Sequence, residues 1–345
     1  MKPERFRQIT SRYSGLRIAV VGDFCLDRYL EIDPARSEIS IETGLPVHNV
    51  VRVRAQPGGA GTILNNLVAL GVGRIFPLSF CGDDGEGYEL RRELAKSPGV
   101  VLDHFVTSPE RRTFTYCKPL LIEAGREPVE LNRLDSKNWT PTPDDLVKRL
   151  ADGLRSIAPA LDALIVMEQV DRAETGVVTR GLLDVIAQIA SARPDLPIPA
   201  DSRRGLAGWP GLSFKMNAAE LATLLGRDVA GPLELTLIKQ AAADLARRNG
   251  RPIFATLAER GIVGASPDGT VDHVPALPLR GPIDIVGAGD AVTANLAAAL
   301  ACGASLGESL ELAAIASSVV IHQLGTTGTA RVADLEPLLG ALPDH

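Results

Sequence analysis

At 345 residues the chain has room for one large domain or two ordinary ones, and its 45% hydrophobic and 23% charged residues mark a globular protein rather than a disordered or fibrous one. A net charge of −6 offers no basic field to a nucleic-acid partner, while leaving room for a local basic pocket around a small anion. No stretch reaches the roughly 20 apolar residues of a membrane helix, and the apolar run Ile18 to Val21 is too short for a signal segment. The four cysteines form no CxxC pair, so a reduced, cytoplasmic protein without a membrane partner is expected. Five histidines without metal-ligand spacing, and the lack of GxSxG and GxxxxGK[ST], remove the zinc hydrolase, α/β-hydrolase and P-loop readings.

In chain order, "LRIAVVG" (Leu16 to Gly22) reads as a strand, and "DFCLDRY" after it puts Asp27 beyond the strand's carboxyl end, where open α/β sheets bind ligands. Residues 30–56 are polar, β-branched and turn-rich. They interrupt the pattern before "QPGGAGTILNNLVALG", a glycine turn (Gly58, Gly59, Gly61) leading into a helix closed by Gly71. Residues 105–135 form a second such interruption. Both are expected to be strands of a small lid over the sheet's carboxyl edge within a single domain spanning 1–345; surface hairpins or an oligomer interface are the alternatives.

Thr142 is expected to cap a helix with Pro143 at its first position. Strands at Ala163 to Glu168, Leu196 to Asp201 and Pro252 to Leu257 then alternate with helical spacing at Thr175 to Ala190 and Leu235 to Arg248. Ser305 with Glu308 makes a capping box for the last long helix. Strand-helix alternation predicts an α/β fold with a mostly parallel sheet covered on both faces.

Three motifs carry chemistry. In "DIVGAGD" (Asp284 to Asp290), Gly287 and Gly289 bare the backbone where an alanine-rich helix begins, so that amides and the helix's positive end make an anion site. An acid in such a place, Asp290, suits a general base aimed at an alcohol beside a transferring phosphoryl group. The plainer alternative is a first-turn acid that complements the helix dipole. Asp27 with the open Gly58-Gly59 turn can hold a ligand rich in hydroxyls. In "KMNAAEL", Asn217 and Glu220 lie three apart on one helix face; Glu220 is a candidate for a hydrated Mg²⁺, with a capping acid as the alternative reading.

Taken together, these residues resemble the ribokinase or PfkB family of carbohydrate kinases, from about Arg17 to about Arg331 and in family order. Gly58-Gly59-Ala60-Gly61 resembles the family's glycine signature, Asn217 to Glu220 its NxxE motif, Asp284 to Asp290 its DTxGAGD signature, and "TLAERG" (Thr256 to Gly261) its nucleotide loop; "GDD" at Gly82 to Asp84 matches a further segment expected to be structural. The resemblance implies a ribokinase-like three-layer α/β/α fold with a small β lid and ATP-dependent phosphorylation of a sugar hydroxyl. Asp290 is then the base, with the amides of Gly287, Ala288 and Gly289 around the γ-phosphoryl oxygens. Asn217, Thr256, Glu259 and Gly261 face the nucleotide, and Glu220 organises Mg²⁺ through water. Asp27, Gly58, Gly59 and Thr62 hold the acceptor. A monovalent cation, K⁺, would sit among Asp284, Val286, Val320, Gln323, Gly325 and Thr329, and a homodimer through the lid is left open.

Within the family, "VVGDFCLDRY", "SEISIETGLPV", "LNRLD" and "HQLGTTGTA" resemble the heptose 7-phosphate kinase branch. The chain runs about 20 residues past Gly325, so no fused nucleotidyltransferase is expected. A phosphorylated sugar would draw on Arg28, Arg111, Arg112, Lys118, Arg133, Arg203 or Arg204. Three departures stand out: Thr62 where the family carries Asn, Val286 where Thr is common, and Arg203-Arg204 in place of a lysine pattern. A nucleoside kinase on the same scaffold, with Phe105, Phe114, Tyr116 or His48 as the base platform, and a non-catalytic nucleotide- or sugar-binding regulator are the competing readings.

Overall fold

The computed structural model describes residues 1–226, 234–325 and 327–341, so Thr326 of "HQLGTTGTA" lies outside the described residues. Helix α1 (Pro3–Thr10) leads into β1 (Arg17–Gly22), which turns at Asp23 into β2 (Phe24–Ile32). The short strands β3 (Glu38–Ile39) and β4 (Pro46–Val47) precede β5 (Val50–Gly59) and α2 (Ala60–Ala69). There follow β6 (Arg74–Gly82), α3 (Gly85–Ala95), β7 (Phe105–Ser108), β8 (Thr115–Leu121), β9 (Val129–Glu130), β10 (Leu134–Ser136) and α4 (Asp144–Ile157). The second half runs β11 (Ala163–Glu168), α5 (Arg180–Ala192), β12 (Pro199–Ser202), β13 (Ser213–Asn217), α6 (Ala218–Leu224), α7 (Leu235–Asn249), β14 (Ile253–Thr256), β15 (Ile262–Ala265) and β16 (Val271–Val274). Helices α8 (Ala288–Ala301), α9 (Leu306–Ile321) and α10 (Val332–Leu335) close it.

The main sheet has the order β16-β15-β14-β13-β12-β11-β1-β6-β7. Its strands are parallel from β14 to β7, and β15 and β16 add an antiparallel edge. Strand β1 explains the layering. Ile18 and Val20 join the core beneath α1, α2, α8 and α9, whereas Ala19 and Val21 join the core beneath α4, α5 and α7. A period of two thus feeds two separate cores from one buried strand. Helix α8 is mostly apolar and buried along most of its length, and its buried Thr293 and Asn295 bond back to the carbonyls of Gly289 and Ala291, as suits a helix enclosed by its neighbours.

Strand order reverses at β1: the chain moves out through β6 and β7, then returns to build β11 to β14 on the other side. Such a switch point leaves a crevice at the strands' carboxyl ends. A second sheet, in the order β10-β8-β2-β5 with β9 paired to β8, grows from that same edge, because β2 continues β1 and β5 feeds the glycine turn before α2.

Some boundaries differ from expectation. Phe105–Ser108 pairs with β6 in the main sheet and does not belong to the second sheet, and Phe105 is buried against Phe24. Thr142 is not an N-cap: its Oγ1 donates to the Gly176 carbonyl at 2.6 Å, and Pro143 takes the cap position without a side-chain bond. The helix expected from Thr175 begins at Arg180, where Thr179 caps the Leu182 amide. The capping box of Ser305 and Glu308 is present.

Candidate active site

The turn before α8 is built by its glycine. The Ile285 carbonyl accepts the Ala288 N–H at 3.2 Å, and Gly287 sits at φ 84°, ψ −5°, the third position of a type II turn, where a side chain is strained. A Cβ on Gly287 would also stand 2.7 Å from Thr327 Cγ2. This turn corrects one expectation. The Ala288 amide is consumed inside it, so the amides left for an anion are those of Gly287, Gly289 and Asp290.

Asp290 lies in the first turn of α8. Loss of hydration pushes its carboxyl up to about 7; Lys215 pulls it down, and the charges of Asp201 and Asp27 push it further up. Lys215, on β13, is buried and donates from Nζ to Asp201 Oδ2 on β12 at 2.7 Å. Burial opposes its charge, yet Asp201, with Asp290 and Glu220, holds its pKa above the ordinary lysine value. A Cβ on Gly289 would lie 2.9 Å from Lys215 Nζ, which places the ammonium against the first turn of α8. The sequence motifs missed Lys215. The signal was a lysine in the otherwise apolar run "SFKM", two residues before Asn217.

Asn217 caps α6 through a reciprocal box: its Oδ1 accepts the Glu220 N–H at 2.9 Å, and Glu220 Oε2 accepts the Asn217 N–H at 2.7 Å. Burial raises the pKa of Glu220, the Asn217 amide lowers it, Asp201 raises it and Lys215 lowers it. The capping reading of Glu220 therefore holds, and it engages only one carboxylate oxygen. Thr256 pairs in register with Asn217 across β13 and β14. The loop that follows carries Glu259, exposed, and Gly261 at φ 88°.

Asp27, on β2, is buried. Burial raises its pKa, and Lys118 and Arg133 counteract that; Lys118 Nζ lies 3.7 Å from its Oδ1. Gly58, on β5, pairs with Cys25, and a Cβ there would fall 2.4 Å from Asp27 Oδ2, so glycine leaves this carboxylate room. Thr62 is buried in the first turn of α2, and its Cγ2 lies 3.5 Å from the position of a Gly287 Cβ. It thus faces the turn before α8. Gly59 joins these segments to Asp23, whose main-chain carbonyl accepts the Ala60 N–H at 3.0 Å. The Asp23 carboxylate accepts the amides of Gln169 and Val177 at 2.8 and 2.7 Å, and burial pushes it up to about 6.

The six positions expected around a monovalent cation lie on two segments joined by Asp284 N–H donating to the Ile321 carbonyl at 2.8 Å. Val286 N–H donates to Asp284 Oδ1, while the Gln323 side chain bonds both the N–H and the carbonyl of Thr329; Gln323 N–H donates to the Val320 carbonyl, and Gly325 sits at φ 70°.

Most of the cations proposed for a substrate phosphate have other employment. Arg28 pairs with Glu86 and Glu89, and Arg111 is buried against the carbonyls of Thr140, Pro141 and Thr175. Arg112 is exposed. Arg204 pairs with buried Glu168, which also accepts the Ser202 hydroxyl. Arg203 shares Asp171 with Lys137. Of the aromatic platforms, Phe105 and Phe114 are buried, and Tyr116 is half-buried beneath the Arg133 guanidinium, 4.8 Å away. His48 is exposed. Asp84 of "GDD" caps α3 and accepts from the Thr113 N–H and hydroxyl, a structural role.

The model of the pfkB family carbohydrate kinases matches residues 213–332. Among curated proteins the chain is similar to the bifunctional protein HldE of Acidiphilium cryptum, 33% identical over 333 residues, covering 94% of this chain and 64% of that one. It is likewise similar to HldE of Gluconacetobacter diazotrophicus, 31% identical over 331 residues, covering 95% and 65%. It therefore spans less than two thirds of the length of these relatives. Among solved structures it resembles phosphofructokinase-2 from Escherichia coli in complex with fructose-6-phosphate, with a TM-score of 0.68, 18% identity, and coverage of 95% and 99%. A putative phosphofructokinase from Staphylococcus aureus gives 0.71 at 15% identity, covering 95% and 98%. The ribokinase-like fold extends over nearly the whole chain, and residues 213–332 within it match the pfkB family of carbohydrate kinases.

Proposed function

We propose that the chain transfers the γ-phosphoryl group of ATP to a hydroxyl of a sugar or sugar phosphate, in the manner of a heptose 7-phosphate kinase. The observation that carries this reading is Asp290: a carboxylate raised to about 7 in the first turn of α8, between open amides and the Lys215 ammonium. A base is most effective when its pKa lies near the working pH.

In this reading Asp290 takes the proton of the acceptor hydroxyl as that oxygen bonds to the γ-phosphorus, and the bond to the β–γ bridging oxygen breaks to release ADP. The amides of Gly287 and Gly289 and the Lys215 ammonium stabilise charge on the transferring oxygens. Asp27 and the Gly58-Gly59 turn orient the acceptor, with Thr62 against the phosphoryl turn. Asn217, Thr256, Glu259 and Gly261 line the nucleotide side. The second sheet acts as a lid that excludes water, which would otherwise compete as the acceptor, and the chain works as one domain.

A divalent ion fits the residues present. No group of three or more His, Cys, Asp or Glu side chains among the described residues could hold a metal directly, and Glu220 commits one oxygen to its cap and keeps the other for a water. That donor set suits Mg²⁺, which retains waters and binds through one or two carboxylates plus phosphates; when bound, it neutralises charge on the nucleotide. The joined segments of Asp284, Val286, Val320, Gln323, Gly325 and Thr329 support a K⁺ site. The exposed side chains Ile39, Ile41, Leu45, Val51 and Val129 on and beside the second sheet support a homodimer through it.

The test is ATP consumption against a panel of sugars, sugar phosphates and nucleosides, with Asp290→Asn as control. Turnover restricted to sugars or sugar phosphates, and lost in the variant, supports the proposal. Turnover with nucleosides only moves it to the nucleoside kinase, and tight ATP binding without turnover moves it to the non-catalytic binder.

A further inference from the structure

A groove of about 610 Å³ runs beside the loop after α9, bordered by Arg280, Val319, Gln323, Thr329, Arg331 and Leu338. That volume is in the small-molecule range. Its two guanidinium groups differ in kind. Arg331 is neutralised by Asp334 through bonds to both carboxylate oxygens, at 2.8 and 2.9 Å. Arg280 has no carboxylate partner among the described residues. Its Nη2 donates only to the Ser318 carbonyl and hydroxyl at 3.3 and 3.5 Å, and its backbone N–H donates to His322 Nε2 at 2.9 Å, which fixes the base of the side chain. The groove therefore holds one uncompensated positive charge in a set place, beside the apolar surfaces of Val319, Pro337 and Leu338.

We propose that this groove binds a small organic oxyanion, a phosphate or carboxylate head on an apolar body, and that its occupancy is felt at the turn before α8. The head pairs with Arg280, and the body covers the apolar wall. The route to the turn is short. Gln323 and Thr329 line the groove and bond each other twice. Thr327, between them, accepts from Gln56 Nε2 at 3.1 Å and lies against Gly287. A ligand that restrains this loop restrains the wall of the anion turn. Binding stands independently of the kinase reading; the effect on turnover rests on it.

The test is calorimetry on the full chain with phenyl phosphate and, separately, benzoate, in the presence of Mg²⁺ and a saturating non-hydrolysable ATP analogue. Expected is saturable binding of at least one probe, weakened about tenfold or more by Arg280→Gln and also by Ala333→Glu, which sets a like charge on the exposed groove wall. Absence of saturation at about 10 mM, a millimolar affinity being the weakest worth the name, overturns the site. So does equal binding by Arg280→Gln, or displacement by the ATP analogue. If the probe binds but leaves phosphoryl transfer unchanged in the wild type, the coupling to the turn is overturned. If no acceptor is ever phosphorylated, the function proposed above fails while the comparison with Arg280→Gln still decides the groove.

Discussion

At the scale of single residues, Asp290 sets activity and stability against each other. Its raised pKa means the folded chain holds that proton more tightly than the unfolded chain does. The resulting stabilisation is complete at low pH and is lost as pH climbs through the ordinary carboxylate range to about 7. Asp290→Asn is expected to leave stability near pH 4 unchanged and to raise it by about 1–3 kcal/mol near pH 8, measured by urea unfolding at both values. The same change should lower kcat by about 10²–10⁴-fold and abolish a rise in wild-type activity centred near pH 7. Lys215 and Asp201 form a buried pair, so breaking it from one side leaves an unpaired charge. Lys215→Met should cost about 3–5 kcal/mol, and adding Asp201→Asn should recover part of that loss; simple additivity in the double-mutant cycle would count against the pair. Asp290 was legible from its glycine context. Lys215 was not, since its importance comes from β12 and β13 lying side by side, and a linear string does not display neighbours.

Individual elements show where local signals suffice. The box at Ser305 and Glu308 is complete within four residues, and the structure contains it. Thr142 carried an equally good local signal and lost it to a distant partner, the Gly176 carbonyl. The strand at Phe105 looked polar enough for a surface sheet, yet its register with Ser79 to Gly82 places it at the edge of the main one. For the turn before α8 the local requirement is strict, because positive φ and the approach of Thr327 act on the same residue. Gly287→Ala should destabilise by at least about 1 kcal/mol and reduce phosphoryl transfer more than it reduces acceptor binding, as separate kcat and KM determinations would show.

For the molecule as a whole, strand-helix alternation was enough to anticipate a mostly parallel sheet with two helical layers, because that periodicity is written along the chain. The antiparallel edge of β15 and β16, and the route by which β2 and β5 leave the main sheet, depend on pairing choices that periodicity does not encode. Ile41 and Leu45, in the turn that joins the paired strands β3 and β4, are exposed, as are Val51 and Val53 on β5, and large apolar side chains left to water in one region mark a candidate interface. Sedimentation of the wild type is expected to give a dimer, and Ile41→Lys with Leu45→Lys a monomer of unchanged fold. A wild-type monomer at micromolar concentration would remove that proposal.

Strand β1, with alternate side chains committed to opposite cores, has a consequence for how the fold comes apart. If the helices on one face loosen, the strand stays anchored by those on the other, and its amides stay bonded to β6 and β11 on either side. Deuterium should therefore reach Ile18 to Val21 only when the whole chain opens. The crevice beyond Gly22 would then keep its innermost wall through every partial opening, however freely the second sheet above it breathes.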